Sequence, residues 1–257
     1  MTLAALFFDL DGTLADTEPE GHLPAYNRAF ADFGLDWHWS RALYRDLLLT
    51  PGGRERIAHY LQAYAPALDE HEQRVKADRA QWIHDLHQCK SRYFSERLAC
   101  GAVTLRPGVA RLIHEANTAD VPVAIVTNAS RGSLEPVLEH LLGPELTEGV
   151  AFSVCGDEVD RKKPAPNLYR LACERLHCRP ADCVAVEDSA TGLNASHGAG
   201  IPTLITVNSD TRGQSFPHAR AVVDGLGEPG APVSILRSPG FGFEYVDLDV
   251  MGRLGAR

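Results

Sequence analysis

Basic residues are in short supply. Lysine and arginine total 25 against 34 aspartates and glutamates, a formal net charge of -9, so the chain lacks the positive field that broad binding to nucleic acid or anionic membrane requires. No apolar run approaches the ~20 residues that span a bilayer. The six cysteines contain no CxxC pair, and the chain opens without a charged region followed by a signal-peptide core. These absences lead to the expectation of a cytoplasmic protein with reduced thiols, no membrane segment and no nucleic-acid partner. An anionic substrate then needs a local basic pocket or a metal ion. What the chain does have is 44% apolar and 23% charged residues over 257 positions, enough for a packed core with a smaller insert.

Residues 3–8 form a short apolar run that stops at Asp9-Leu-Asp-Gly-Thr, read as a buried strand ending in a polar turn. From about Glu20 to Cys100 the pattern is helical: His22 to Phe33, Ser40 to Leu49, Arg54 to Tyr64, and one long charged stretch from Leu68 to Leu98, taken as a solvated face. After Arg106-Pro107-Gly108 helices and strands alternate, with strands expected at Val121–Val126, Val150–Cys155, Cys183–Val186 and Pro202–Val207. Such alternation predicts an α/β fold with a doubly wound parallel sheet. The first strand cannot satisfy its backbone alone and must join that sheet. The helical block is therefore an inserted all-helical cap domain, residues 18–100, between core segments 1–17 and 101–257. The Gly- and Pro-rich tail after Leu226 reads as irregular.

Asp9 and Asp11 sit two apart at a strand's C-terminal end, where open parallel sheets place their ligands. Carboxylates that close repel, which calls for a cation or a shared proton. A second acidic pair, Glu187-Asp188, ends the run Cys183-Val-Ala-Val186, and hard oxygen donors with room for water suit magnesium better than zinc. Thr127-Asn128 end another apolar run, and Lys163 lies in the loop Asp-Arg-Lys-Lys-Pro-Ala-Pro. Taken singly, each has a plainer reading: a solvated Asp-x-Asp turn, a capping threonine, an exposed loop lysine, or an N-cap at Asp188 or Ser189.

Together, in this order and at these spacings, Asp9-Leu-Asp-Gly-Thr, Thr127, Lys163-Pro164 and Glu187-Asp188 resemble the four motifs of the haloacid dehalogenase superfamily, and the resemblance covers nearly the whole chain. It implies that Asp9 is a nucleophile forming an aspartyl-phosphate. Asp11 would be the acid and base, Thr127 and Lys163 would hold the phosphoryl oxygens, and Asp9, Asp11, Glu187 and Asp188 would hold Mg²⁺. Within the insert, the segments around Glu18 and His22, Tyr26-Asn27, Trp37-His-Trp39, Tyr44 and Gly52 to Ile57 are similar to the CbbY-type phosphatases. Those are associated with removing phosphate from xylulose 1,5-bisphosphate, an inhibitor of carbon fixation. By that resemblance Glu18 and His22 would contact sugar hydroxyls, and Tyr44, Gly53, Arg54 and Arg56 would hold the distal phosphate. Asn128 would also contact substrate. Between Glu18 and His22 the chain reads as one residue longer than in the sugar-phosphate mutases.

Plainer readings accompany the insert as well. Arg54 and Arg56 could be solvated helix charges, His22 a packing residue, Trp37 and Trp39 core, and the cysteines small apolar residues. The expectation is a monomeric enzyme acting on a small phosphorylated sugar. The alternatives are a mutase of the beta-phosphoglucomutase type on the same core and a non-catalytic phospho-ligand binding protein.

Overall fold

The computed structural model describes residues 3–238 and 240–256. Two compact units are present, one formed by residues 1–16 and 104–257, the other by 17–103.

In the first unit, strands β1 (Ala5–Phe8), β2 (Val123–Val126), β3 (Phe152–Val154), β4 (Cys183–Glu187), β5 (Thr203–Thr206), β6 (Ala221–Val223) and β7 (Ile235–Arg237) form one sheet in the order β3-β2-β1-β4-β5-β6-β7, parallel throughout except for β6 and β7. β1 is buried on both faces, as its unbroken run Ala-Leu-Phe-Phe requires of a central parallel strand. Its Phe8 is level with Ile125 of β2 and Val186 of β4. One step further, Asp9 is therefore brought beside Val126 and Glu187. The chain leaves β1 toward β2 on one side and reaches β4 on the other, and this reversal of strand order is where such sheets open a ligand crevice.

The unit's helices are α6 (Val109–Thr118), α7 (Arg131–Val137), α8 (Gly143–Glu148), α9 (Asn167–Leu176), α10 (Ala190–Gly198) and α11 (Leu248–Gly255). α9 lays Leu168, Tyr169, Ala172 and Cys173 against Ala5, Phe7, Ala124 and Val126, residues at the i, i+1, i+4, i+5 positions of a helix stripe. The tail beyond Leu226 corrects the expectation of irregularity: it carries β7 and α11. Arg111 secures it by donating to Glu228 Oε2 (2.9 Å), Gly227 O (2.9 Å) and Val246 O (3.0 Å), and Val250, Met251 and Leu254 are buried.

The second unit is helical: α1 (Leu23–Asp32), α2 (Arg41–Leu47), α3 (Gly53–Ala63), α4 (Glu72–Ala77) and α5 (Arg79–Ala99). Its core is aromatic, with Tyr26 and Phe30 of α1 packed on Trp37, Trp39, Tyr44, Tyr60 and Trp82. Asn27 clamps the backbone of Trp39 with both side-chain atoms, at 3.0 and 2.8 Å. Two expectations are corrected. The stretch from Leu68 to Leu98 is not one helix, because Asp78 leaves helical geometry (φ -152°, ψ 91°) and its carboxylate caps the next helix at Gln81 N. Nor is it a solvated face, since Trp82, Ile83, Leu86, Lys90, Phe94 and Leu98 of α5 are buried. The segment Glu18–His22 is a π-helical turn, closed by Leu23 N donating to Glu18 O. A π turn absorbs one residue more than an α turn, and such turns concentrate at functional sites.

Candidate active site

Four strand ends supply the polar groups of the first unit. Asp9 follows β1, Thr127 follows β2, Glu187 closes β4 with Asp188 next, and Asn208 lies two residues beyond β5. Lys163, 3% exposed, uses all three of its N–H donors: its Nζ lies 2.6 Å from Asp9 Oδ1, 2.6 Å from Val126 O and 2.6 Å from Glu187 Oε1. An ammonium has only those three donors, so its position is fixed. Burial would lower its pKa, but the charges of Asp9 and Glu187 outweigh that and raise it. Asn128 sets the loop from which Lys163 extends, accepting from Lys163 N at 2.8 Å and donating to Lys163 O at 3.2 Å. This gives Asn128 a positioning part in addition to the substrate contact expected of it. Thr127, buried, accepts from Ala129 N at 3.0 Å, so it caps its turn at the end of β2.

Glu187 is fully buried, and its Oε1 also accepts from Tyr169 OH at 2.5 Å, while Oε2 has no hydrogen-bond partner. Asp188 Oδ2 accepts from Asn208 Nδ2 at 2.7 Å. Ser189 rather than Asp188 is the N-cap of α10, accepting from Gly192 N at 3.1 Å. Asp11 is half-buried in the turn after β1, a turn that depends on Gly12. That glycine has φ +82°, and a Cβ there would lie 2.4 Å from Asp188 Oδ2. Beneath this turn the buried Arg106 donates to Gly12 O, to Thr206 O (2.9 Å), to Val207 O (2.8 Å) and to Asp224 O (3.0 Å). One guanidinium thus ties the loops after β1, β5 and β6 together.

The electrostatics fit a divalent cation. Carboxylate oxygens of Asp9, Glu187 and Asp188 lie within 4.8 Å of one another, and Lys163 is the ammonium that faces them. Burial pushes Asp9 up to about 7, against the pull of Lys163 and with help from the Glu187 charge, and burial with the Asp9 and Glu187 charges raises Asp188 well above its usual range. Three buried carboxylates against one ammonium, all oxygen donors, with an unpartnered Glu187 oxygen, form an acidic cluster suited to a hard ion. The pH dependence has a definite sign. The unfolded chain releases the Asp9 proton near 3.8 and the native chain near 7, so the contribution of Asp9 to native stability falls as pH rises between those values, by up to about 4 kcal/mol, and the raised Asp188 carboxyl adds to the fall in the same direction. Melting in chelator should therefore drop from pH 5 to pH 7.5, and excess Mg²⁺ should remove most of that slope. A slope unchanged by Mg²⁺ would mean that the cluster does not hold the ion.

Gly192 offers a steric check. A Cβ there would come within 1.8 Å of Glu187 Oε2. Alanine in a helix is otherwise worth about 1 kcal/mol over glycine, whereas overpacking a filled site costs roughly 1–3 kcal/mol. Gly192→Ala is expected to melt lower and to lose activity. A higher melting temperature with normal turnover would show that the Glu187 carboxylate does not occupy this position.

The second unit assembles a separate cluster. Tyr44 OH donates to Glu18 Oε2, Arg56 Nη1 donates to Tyr44 OH at 2.8 Å, and Arg56 lies 3.9 Å from Glu18 Oε2. Burial, above all, keeps the Tyr44 phenol protonated by raising its pKa well above the ordinary value. Gly53 and Arg54 form the first turn of α3, with Arg54 exposed and Arg56 buried, so the two arginines face differently. His22 stacks on Phe94 (3.9 Å) with Lys90 Nζ 2.7 Å from its Nδ1. Burial and the Lys90 and Arg54 charges push His87 down to about 3, so it is neutral.

Sequence reasoning missed Tyr169, Asn208, Arg106, Lys90 and His87. Only Asn208 carried the signal used elsewhere, a polar residue ending an apolar strand run; the others sit at positions whose periodicity reads as helix or loop.

A family model described as haloacid dehalogenase-like hydrolase matches residues 3–200. The plasmid CbbY protein of Cupriavidus necator is 41% identical over 246 residues, covering 96% of this chain and 94% of that one. The crystal structure of a CbbY variant from Rhodobacter sphaeroides in complex with xylulose-(1,5)bisphosphate superposes with a TM-score of 0.77 at 37% identity, over 87% of this chain and 95% of that one. beta-Phosphoglucomutase from Clostridium difficile shares the fold alone, at 18% identity and a TM-score of 0.66 over 88% of this chain and 92% of that one. With Asp9, Lys163 and the Glu187-Asp188 pair gathered at one sheet edge, this chain belongs to the haloacid dehalogenase-like hydrolase family and is a phosphoric monoester hydrolase within it.

Proposed function

We propose that the substrate is xylulose 1,5-bisphosphate, or a closely similar small sugar bisphosphate, and that Mg²⁺ is the resident cofactor. The observation that carries the chemistry is the 2.6 Å contact that aims Asp9 through Lys163. The substrate reading is supported by the extent of likeness to CbbY proteins, one of which is named as a complex with that bisphosphate.

An Asp9 oxygen attacks phosphorus as the bond to the sugar oxygen breaks, and Asp11 gives that oxygen its proton. Asp11 then takes a proton from water, which attacks phosphorus and releases Asp9 and inorganic phosphate. Lys163 and Thr127 hold phosphoryl oxygens, so that the transition-state charge meets groups already in place. Bound at Asp9, Asp11 and Asp188, with Glu187 in or beside the ligand set, Mg²⁺ would offset repulsion between carboxylates and phosphate. In the helical unit, Glu18 and His22 recognise sugar hydroxyls, and Tyr44, Gly53, Arg54 and Arg56 hold the second phosphate. Backbone N–H groups at the start of α3 and guanidinium forks suit that anion. The reducing cytoplasm suits six free cysteines, and no helix among the described residues is long and apolar enough to cross a membrane.

The test is phosphate release from a panel of sugar mono- and bisphosphates with Mg²⁺, comparing wild type with Arg54→Ala. Loss of a charged hydrogen bond, about 1.5–3 kcal/mol, should raise KM for the bisphosphate some 10- to 100-fold and leave monophosphates unaffected. Equal effects on both classes would discard the distal phosphate site. Isomerised sugar phosphate without phosphate release would establish the mutase instead.

A further inference from the structure

The first unit contains a thiol cluster that the phosphatase chemistry does not use. Cys173, Cys178 and Cys183 place their sulfurs within 4.8 Å of one another, with Cys178 Sγ 3.3 Å from Cys183 Sγ. Their spacing of five and five matches no short metal motif, and local backbone structure brings them together. α9 ends at His177 in the left-handed region (φ 49°). His177 N donates to Glu174 O and Cys178 N to Cys173 O, both at 3.2 Å, the paired bonds of a Schellman C-cap. That cap presses the residue after the turn against the one three from the helix end, here Cys178 against Cys173. The chain then makes a 3₁₀ turn at Pro180–Asp182 and enters β4 at Cys183. Cys173 and Cys183 are buried among core residues of α9 and β4, and Cys178 is half-buried, leaving a route to solvent.

Cys183 opens β4 and Glu187 closes it, so the thiols lie about 13 Å along the strand from the carboxylates, at the opposite edge of the sheet. The two clusters also differ in chemistry: oxygen donors select hard ions and thiolates soft ones.

We propose that Cys173, Cys178 and Cys183 form a three-sulfur site for a thiophilic d¹⁰ cation, zinc(II) or copper(I) in class. Metal–sulfur bonds of about 2.3 Å put the sulfurs of a trigonal site roughly 4 Å apart, which the observed cluster meets with small side-chain adjustments. Each sulfur gives its proton to solvent as it bonds to the cation, and no electron changes hands. A Cys178–Cys183 disulfide would need the sulfurs to close to about 2.05 Å, would consume an oxidant, and would leave Cys173 without a part. Packing alone predicts no ion uptake at all.

The experiment titrates cadmium(II), a spectroscopic stand-in for zinc, into the reduced full-length chain with Mg²⁺ in large excess to fill the acidic cluster. The expected result is one equivalent bound, with thiolate-to-cadmium charge-transfer absorption and three sulfur neighbours by X-ray absorption. Cys178→Ser should weaken binding by at least about 10- to 100-fold, no less than the loss of an outer-shell partner, whereas Cys89→Ser and Cys100→Ser should leave it unchanged. Absent charge transfer, fewer than three sulfur neighbours, or a spectrum indifferent to Cys178→Ser would overturn the site. Should Cys178→Ser fail to fold by circular dichroism, the sulfur count on the wild-type protein decides by itself.

Discussion

Asp9→Asn is expected to abolish phosphate release while leaving the protein folded. An amide oxygen can still accept from Lys163, so the contact that orients residue 9 survives, but the amide is not a nucleophile toward phosphorus. Removal of a covalent nucleophile typically costs several orders of magnitude, and kcat should fall by at least about 10⁴-fold. Stability should move the other way. Burial holds the Asp9 carboxyl at about 7, so at pH 8 in chelator the wild type carries a disfavoured charge that the variant lacks, and the variant should melt no lower. Inactive protein with unchanged or higher melting temperature is the expected pair of results. Residual turnover above about a hundredth of wild type would take the nucleophile's role away from Asp9, and a large drop in melting temperature would make the loss of activity structural.

Lys163→Met has the second largest expected effect, and it falls on both stability and rate. The ammonium is buried and satisfies Asp9, Glu187 and Val126 O at once. Methionine keeps the length but removes every donor. Breaking a buried ion pair from one side costs about 3–5 kcal/mol, because the remaining charges are left without a partner. Losing one preorganised donor to the transferring group costs another 10²–10³-fold in kcat. Circular dichroism melting and phosphate release, read together, separate the two. Adding Glu187→Gln to Lys163→Met should recover part of the stability, since one uncompensated carboxylate goes, while activity stays lost. Additive losses in the double variant would mean that Lys163 and Glu187 are not coupled as their 2.6 Å contact requires. Lys163→Arg should not restore function, because a planar fork cannot meet three acceptors arranged around a single nitrogen.

Much of this protein was legible along the chain because its chemistry sits at strand ends. An apolar run of four to six residues that halts on Asp9, on Thr127 or on Glu187-Asp188 announces a buried parallel strand and its crevice in the same few residues. Alternation of elements then requires the sheet, and the helical block between the first strand and the rest has to be an insert. Other features lay beyond such reading. The sequence sets the helix break at Asp78 through a capping aspartate, but charge density masks it, and the buried stripe from Trp82 to Leu98 shows itself only once α1 and the tryptophans pack against it. The tail looks irregular because its order comes from Arg111, more than a hundred residues away from Glu228 and Val246.

What the sequence by itself determined is the set of strand-end carboxylates, the loop lysine and the alternation that gathers them, since periodicity and termination are local properties of the chain. What only the tertiary structure decided is which groups surround them. Tyr169 donates to Glu187, Asn208 to Asp188, and Arg106 fastens three loops. Those partners come from segments distant in sequence, and a side chain's neighbour across a packed core is set by three-dimensional registry, which no local pattern records.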